Sequence, residues 1–125
     1  MGKGGAVGQI ENFQGLEVWQ RAHQLVLAVY RVTREFPADE RYGLVSQMRR
    51  AVVSVAANIA EGFKRRGQAD KIRFYNTSET SLEELKYYFI LSRDLGYIAD
   101  IEQLMADAEA ASRMLYRLIE SVGKR

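Results

Sequence analysis

The chain contains no cysteine, one proline and one histidine in 125 residues. Without cysteine there are no disulfides and no thiol chemistry. A lone histidine, His23, argues against a zinc site built from this chain's own side chains, and packing or solvent exposure is its ordinary role. No apolar run approaches the ~20 residues that span a bilayer. The opening "MGKGG" lacks the apolar stretch of a secretion signal, so the cytoplasm is the expected compartment and no membrane partner is expected. Also missing are a phosphate loop, a dinucleotide fingerprint, a nucleophile elbow and a metal-binding histidine pair. The expectation is a non-enzyme with no cofactor and no metal. The one acid pair worth naming, Glu61 with Glu84, has no local feature that predicts proximity or altered proton affinity.

What remains is a single domain of ordinary composition, large enough to bury about two-thirds of its unfolded surface. Scarce proline, and glycines gathered near the start and at expected helix ends, favour long helices over strands and turns. Residues 1–12 read as a flexible lead, 13–123 as the folded domain and 124–125 as a basic tail. The most informative stretch is Phe36 to Gly62. Phe36-Pro37 stops the first helix, expected over 16–35, because proline disfavours helical geometry in its neighbour. Asp39 is the expected cap of the second helix, with Ser46 as the alternative. From there Leu44, Met48, Ala51, Val52, Val55 and Ile59 share one face. Ala51, Ala56, Ala57 and Ala60 keep this helix slim, so neighbours can approach on more than one side. Gly62 is the expected terminator. A third helix is expected from 68–70 to Leu95, ended by Gly96, and a fourth over 101–122. The third carries Thr77, Ser78, Thr80 and Ser81, poor helix formers whose hydroxyls can bond the preceding turn. The fold class is therefore all-α, four successive amphipathic helices bundled around the slim second one. Trp19 is expected to pack in the core with its N–H near the rim.

Two polar patterns stand out. Gln47, Ser54 and Asn58 on the second helix face the same way, and Ser81, Glu84 and Tyr88 on the third can meet them as an interhelix network. The plainer alternative places these residues at an oligomer interface or in water. Charge is also divided. Residues 41–73 hold eight Lys/Arg against Glu61 and Asp70, while 79–109 hold eight acids against Lys86 and Arg93. Such opposition serves helix or subunit pairing, or creates a basic patch for phosphate. The candidate phosphate contacts are Arg49, Arg50, Lys64, Arg65, Arg66 and Lys71, with Arg73 on the same face. Tyr75, Tyr87 and Tyr88 are candidate stacking surfaces for single strands.

The phrases "FQGLEVWQRAHQLVLAVY", "FPADERYGLVSQMRRAVVSVAANIAEGFKR" and "FYNTSETSLEELKYYFILSRDLGYI" resemble the family of four-helix bundle proteins encoded in intervening sequences of bacterial 23S ribosomal RNA genes. Matching positions include Trp19, Pro37, Gly43, Gln47, Arg49, Arg50, Asn58, Glu61, Gly62, Ser81, Glu84 and Gly96. Thr80 replaces a usual small residue and Gly15 a usual polar one. The resemblance implies an all-α, antiparallel up-down four-helix bundle assembled as a toroidal homopentamer, with no established catalytic residues to carry over. A more distant resemblance, to the accessory protein of diversity-generating retroelements, implies a basic surface for nucleic acid and a reverse transcriptase as partner. Together these readings point to an oligomeric bundle that binds RNA or other nucleic acid. The alternative is a structural or protein-interaction scaffold.

Overall fold

The computed structural model describes residues 10–124. Most of the expected flexible lead, and Arg125 of the basic tail, lie outside them. Within them the chain forms four helices: α1 (Glu17–Thr33), α2 (Leu44–Lys64), α3 (Gln68–Asp94) and α4 (Glu102–Gly123). There is no strand among the described residues.

Chain geometry before α1 is set by a short 3-10 turn, Phe13–Gly15, where Asn12 accepts a hydrogen bond from the Gln14 N–H. Phe13 then meets Trp19 edge-on at 5.0 Å, and Trp19 stacks on His23 at 5.1 Å. Trp19 is thus half-buried at the rim, and His23 serves as its stacking partner. The core stripe of α1, Val18, Ala22, Leu25 and Val29, has helical spacing and is buried.

The start of α2 differs from expectation. Ala38–Glu40 form a separate 3-10 turn, and neither Asp39 nor Ser46 caps the helix. The Glu40 carboxylate reaches forward to accept from the Leu44 N–H at 3.1 Å. It also accepts from the Tyr97 hydroxyl at 2.8 Å, while the Tyr97 ring lies 5.3 Å from Phe36. One carboxylate thus starts α2 and ties the loop before it to the turn after α3.

Gly62 does not end α2. It is buried within the helix, which continues to Lys64. A Cβ at Gly62 would meet the Tyr75 ring at 2.6 Å, so glycine is required here for close packing of α2 on α3. Gly96 does terminate its helix. It adopts φ +82°, its N–H donates to the Arg93 carbonyl and the Tyr97 N–H to the Ser92 carbonyl, both at 2.9 Å. This paired pattern satisfies the last carbonyls of α3, and the left-handed residue between them suits glycine.

The core is contiguous and centres on α2, whose Met48, Val52, Val55 and Ile59 are fully buried. Contacts between α2 and α3 run in opposite chain order: Gln47 with Tyr88, Ser54 with Ser81, Val55 with Ser78, and Gly62 with Tyr75. The hydroxyls of α3 divide into two roles. Thr77 and Thr80 bond back to their own helix, whereas buried Ser78 crosses to the Val55 carbonyl at 2.8 Å. A small polar side chain there lets the two backbones approach while its hydroxyl stays satisfied.

Candidate nucleic-acid interface

The six expected phosphate contacts do not form one patch. Arg50 and Lys64 are fourteen positions apart on α2, roughly 21 Å at the helical rise. The structure separates a cluster at the α2–α3 turn from another on the flank of α1 and α2.

At the turn, Lys71 is half-buried and donates to the carbonyls of Gly62 at 3.2 Å and Phe63 at 2.7 Å. It therefore caps the end of α2, where a cation favours the exposed carbonyls and the helix dipole. Arg65 pairs with Glu61 at 3.0 Å and lies 4.5 Å over the Phe74 ring. Arg73 occupies a second position 4.6 Å from that ring and pairs with Asp70 at 3.3 Å. Lys64 and Arg66 are exposed, with no hydrogen bond or ion pair among the described residues. The turn thus carries two uncommitted cations beside two guanidiniums held by an aromatic ring.

On the flank, Arg49 is committed inward. Its Nε donates to Thr33 Oγ1 at 3.0 Å, an Nη donates to the Tyr30 carbonyl at 3.4 Å, and its guanidinium lies 4.5 Å over the Tyr30 ring. It joins α1 to α2. Its neighbour Arg50 is exposed and has no hydrogen bond or ion pair among the described residues. Around them an open depression of about 420 Å³ is lined by Tyr30, Arg41, Tyr42, Arg49, Arg50 and Val53, among others. Arg41 and Tyr42 were not among the expected site residues. The signal was their place in the turn before α2, where side chains stand clear of the bundle. Tyr75, an expected stacking surface, is only 1% exposed and belongs to the core, whereas Tyr42 is 89% exposed. Tyr87 is exposed as expected, and its ring contacts that of Tyr88 at 6.0 Å.

The interhelix network forms in part. Ser54 and Ser81 hydroxyls lie 2.9 Å apart, and Asn58 donates to the Ser54 carbonyl at 2.9 Å and hydroxyl at 3.0 Å. Tyr88 reaches Gln47 only at 3.5 Å, the long limit of a hydrogen bond. Glu84 does not join. It is exposed and borders a hollow of about 250 Å³ with Gln47, Arg50, Ser54 and Ser81. Burial raises the Tyr88 phenol above its ordinary value, and the Glu84 charge adds to the effect. Glu84 lies at the level of Ser54, two turns of α2 from Glu61, and Glu61 is held by Arg65. The acid pair is therefore not assembled. Among the described residues, no group of three or more His, Cys, Asp or Glu side chains is placed to hold a metal ion. No described helix is long and apolar enough to cross a membrane.

The profile of the 23S rRNA-intervening sequence protein family matches residues 14–117, the span holding all four helices except the end of α4. The chain belongs to that family. A crystal structure at 1.70 Å of a protein of unknown function, from the S23 ribosomal protein family of Bacteroides thetaiotaomicron, is similar to this member with a TM-score of 0.73. The match covers 82% of this chain and 97% of that one at 20% identity, a likeness that carries the fold alone. No curated protein matches.

Proposed function

We propose that this member of the intervening-sequence family is a non-enzymatic, cytoplasmic bundle that binds RNA or other nucleic acid through its basic surface. The carrying observation is the state of Lys64 and Arg66, two exposed and uncommitted cations beside the Arg65–Phe74–Arg73 stack. Cations without internal partners are available to displace counterions from a phosphate chain. Arg49 and Lys71 leave the contact set and become structural.

The domain spans 13–123, and its helices pass up and down antiparallel to one another, a reading supported by the reversed order of the α2–α3 contacts. Several copies assemble, five by family resemblance. The exposure of Leu27, Tyr87, Ile90 and Tyr116 favours some such burial. Assembly repeats a weak patch around a ring and raises its effective affinity. The same exposed apolar side chains favour the second reading, a scaffold that binds protein alone.

The test is a solution mass measurement followed by titration of labelled 20-nucleotide RNA and DNA at low salt. The assembled protein should bind, and Lys64→Gln with Arg66→Gln should weaken binding to either polymer. A correctly assembled protein that binds neither at low salt contradicts the proposal and leaves the scaffold reading.

A further inference from the structure

The flank of α1 and α2 holds a second depression of about 360 Å³ beside the first. Arg34, Phe36 and Pro37 border it, and it shares Arg41, Val45 and Arg49 with its neighbour. Across both, the lining includes four arginines and no Asp or Glu. Glu40, in the turn before α2, is engaged by the Leu44 N–H and the Tyr97 hydroxyl. Among the described residues Arg34, Arg41 and Arg50 have no ion pair, and the hydrogen-bond partners of Arg49 are neutral oxygens. Glu84 shares a hollow with Arg50 on the α3 side, so this compensating acid lies outside the two depressions, whose own lining is purely cationic in its charged residues. Tyr42 stands on its edge with 89% of its surface open and no ring partner.

We infer that these joined depressions form a track for single-stranded nucleic acid, in which Tyr42 stacks a base while Arg34, Arg41 and Arg50 contact successive phosphates. The inference rests on the nucleic-acid reading above and adds a strand preference and a second site. An aromatic ring beside a charged groove provides the two elements of single-strand recognition, since every unpaired base offers a face for stacking. A duplex keeps its bases stacked inside and offers this ring only backbone. The acid-rich stretch 79–109 of a second copy would answer the charge, but it makes no use of an open ring standing clear of its own fold. Shared Arg41 lies between the two hollows, where the phosphate joining two nucleotides would pass.

The experiment compares a labelled 12-nucleotide uridine-rich RNA with an RNA hairpin duplex of similar charge, by anisotropy at low salt. Tyr42→Ala should weaken single-strand binding about tenfold and duplex binding less than twofold. Tyr42→Phe should restore the loss, because it keeps the stacking face. Arg41→Gln with Arg50→Gln should weaken both ligands through lost phosphate contacts. If Tyr42→Ala leaves single-strand affinity unchanged while Lys64→Gln with Arg66→Gln lowers it, the track is wrong and the general reading stands. If Tyr42→Ala alters the solution mass, or weakens both ligands equally, the ring acts in assembly and the inference is overturned. If the wild-type protein binds neither RNA, both readings fail together.

Discussion

The two ends of α2 present the same problem with different solutions. Each carries adjacent cations, and at each the fold commits some to internal partners while leaving neighbours free. Near the start, Arg49 bonds across to α1 and Arg50 faces solvent. Near the end, Lys71 of α3 caps α2, Arg65 pairs with Glu61, and Lys64 and Arg66 are left without partners among the described residues. A run of like charge is therefore a mixture of functions. Direction on the helix, about 100° per residue, decides which side chain joins the bundle. The ends differ in what surrounds the free cations: an open tyrosine on the flank, and a phenylalanine already held between two guanidiniums at the turn.

The harshest way to break this comparison is Gly62→Ala. The added methyl would drive into Tyr75, a buried ring with little room to move. Overpacking of this kind should cost about 3 kcal/mol, measured by denaturant unfolding. A loss under about 0.5 kcal/mol would mean that α2 and α3 sit further apart than described. Next comes the adjacent arginine pair. Arg49→Gln should cost about 1.5 kcal/mol through lost hydrogen bonds to α1, and Arg50→Gln less than about 0.5 kcal/mol. Equal losses would remove the division between structural and free cations. Gly96→Ala should cost about 1 kcal/mol, since an L side chain resists its positive φ although the surrounding space is open. Its effect should therefore be smaller than that at Gly62.

The gentlest test is acid. Hydrogen bonds from the Leu44 N–H and then the Tyr97 hydroxyl hold the Glu40 carboxyl below its ordinary value of 4.5. The Lys86 ammonium does the same for Glu109, linking α3 to α4 at 2.7 Å. Lowered native values mean that both contributions are complete above pH 4.5 and are lost as pH falls through the native values. Thermal melts should hold level above that point and decline below it. Glu40→Gln with Glu109→Gln should flatten the decline, and an unchanged slope would deny these carboxylates their role.

Much of the bundle was legible in sequence because burial imposes a period. Leu44, Met48, Val52, Val55 and Ile59 are buried as their spacing requires. Gly96 was legible too, since a helix end after Leu95 leaves few roles for glycine. Gly62 was misread because composition cannot distinguish a glycine that turns the chain from one that admits a ring from another helix. The cap of α2 was misread because Glu40 acts from four residues away across a 3-10 turn, outside the usual capping spacing. The candidate site was the least legible part. That Arg49, Arg65 and Lys71 have internal partners depends on Thr33, Phe74 and the Gly62 and Phe63 carbonyls, which become neighbours only when the helices pack.

The central claim is that cations left without partners serve phosphate while their committed neighbours serve the fold. It is tested most directly by the salt slope of single-stranded RNA binding, compared between Lys64→Gln/Arg66→Gln and Arg49→Gln/Lys71→Gln, each measured where it is fully folded. Each lost phosphate contact lowers the slope of log affinity on log salt by about 0.7 for single strands, so the first pair should lose about 1.4 and the second almost nothing. Equal losses, or a slope unchanged in the first pair, would contradict the account.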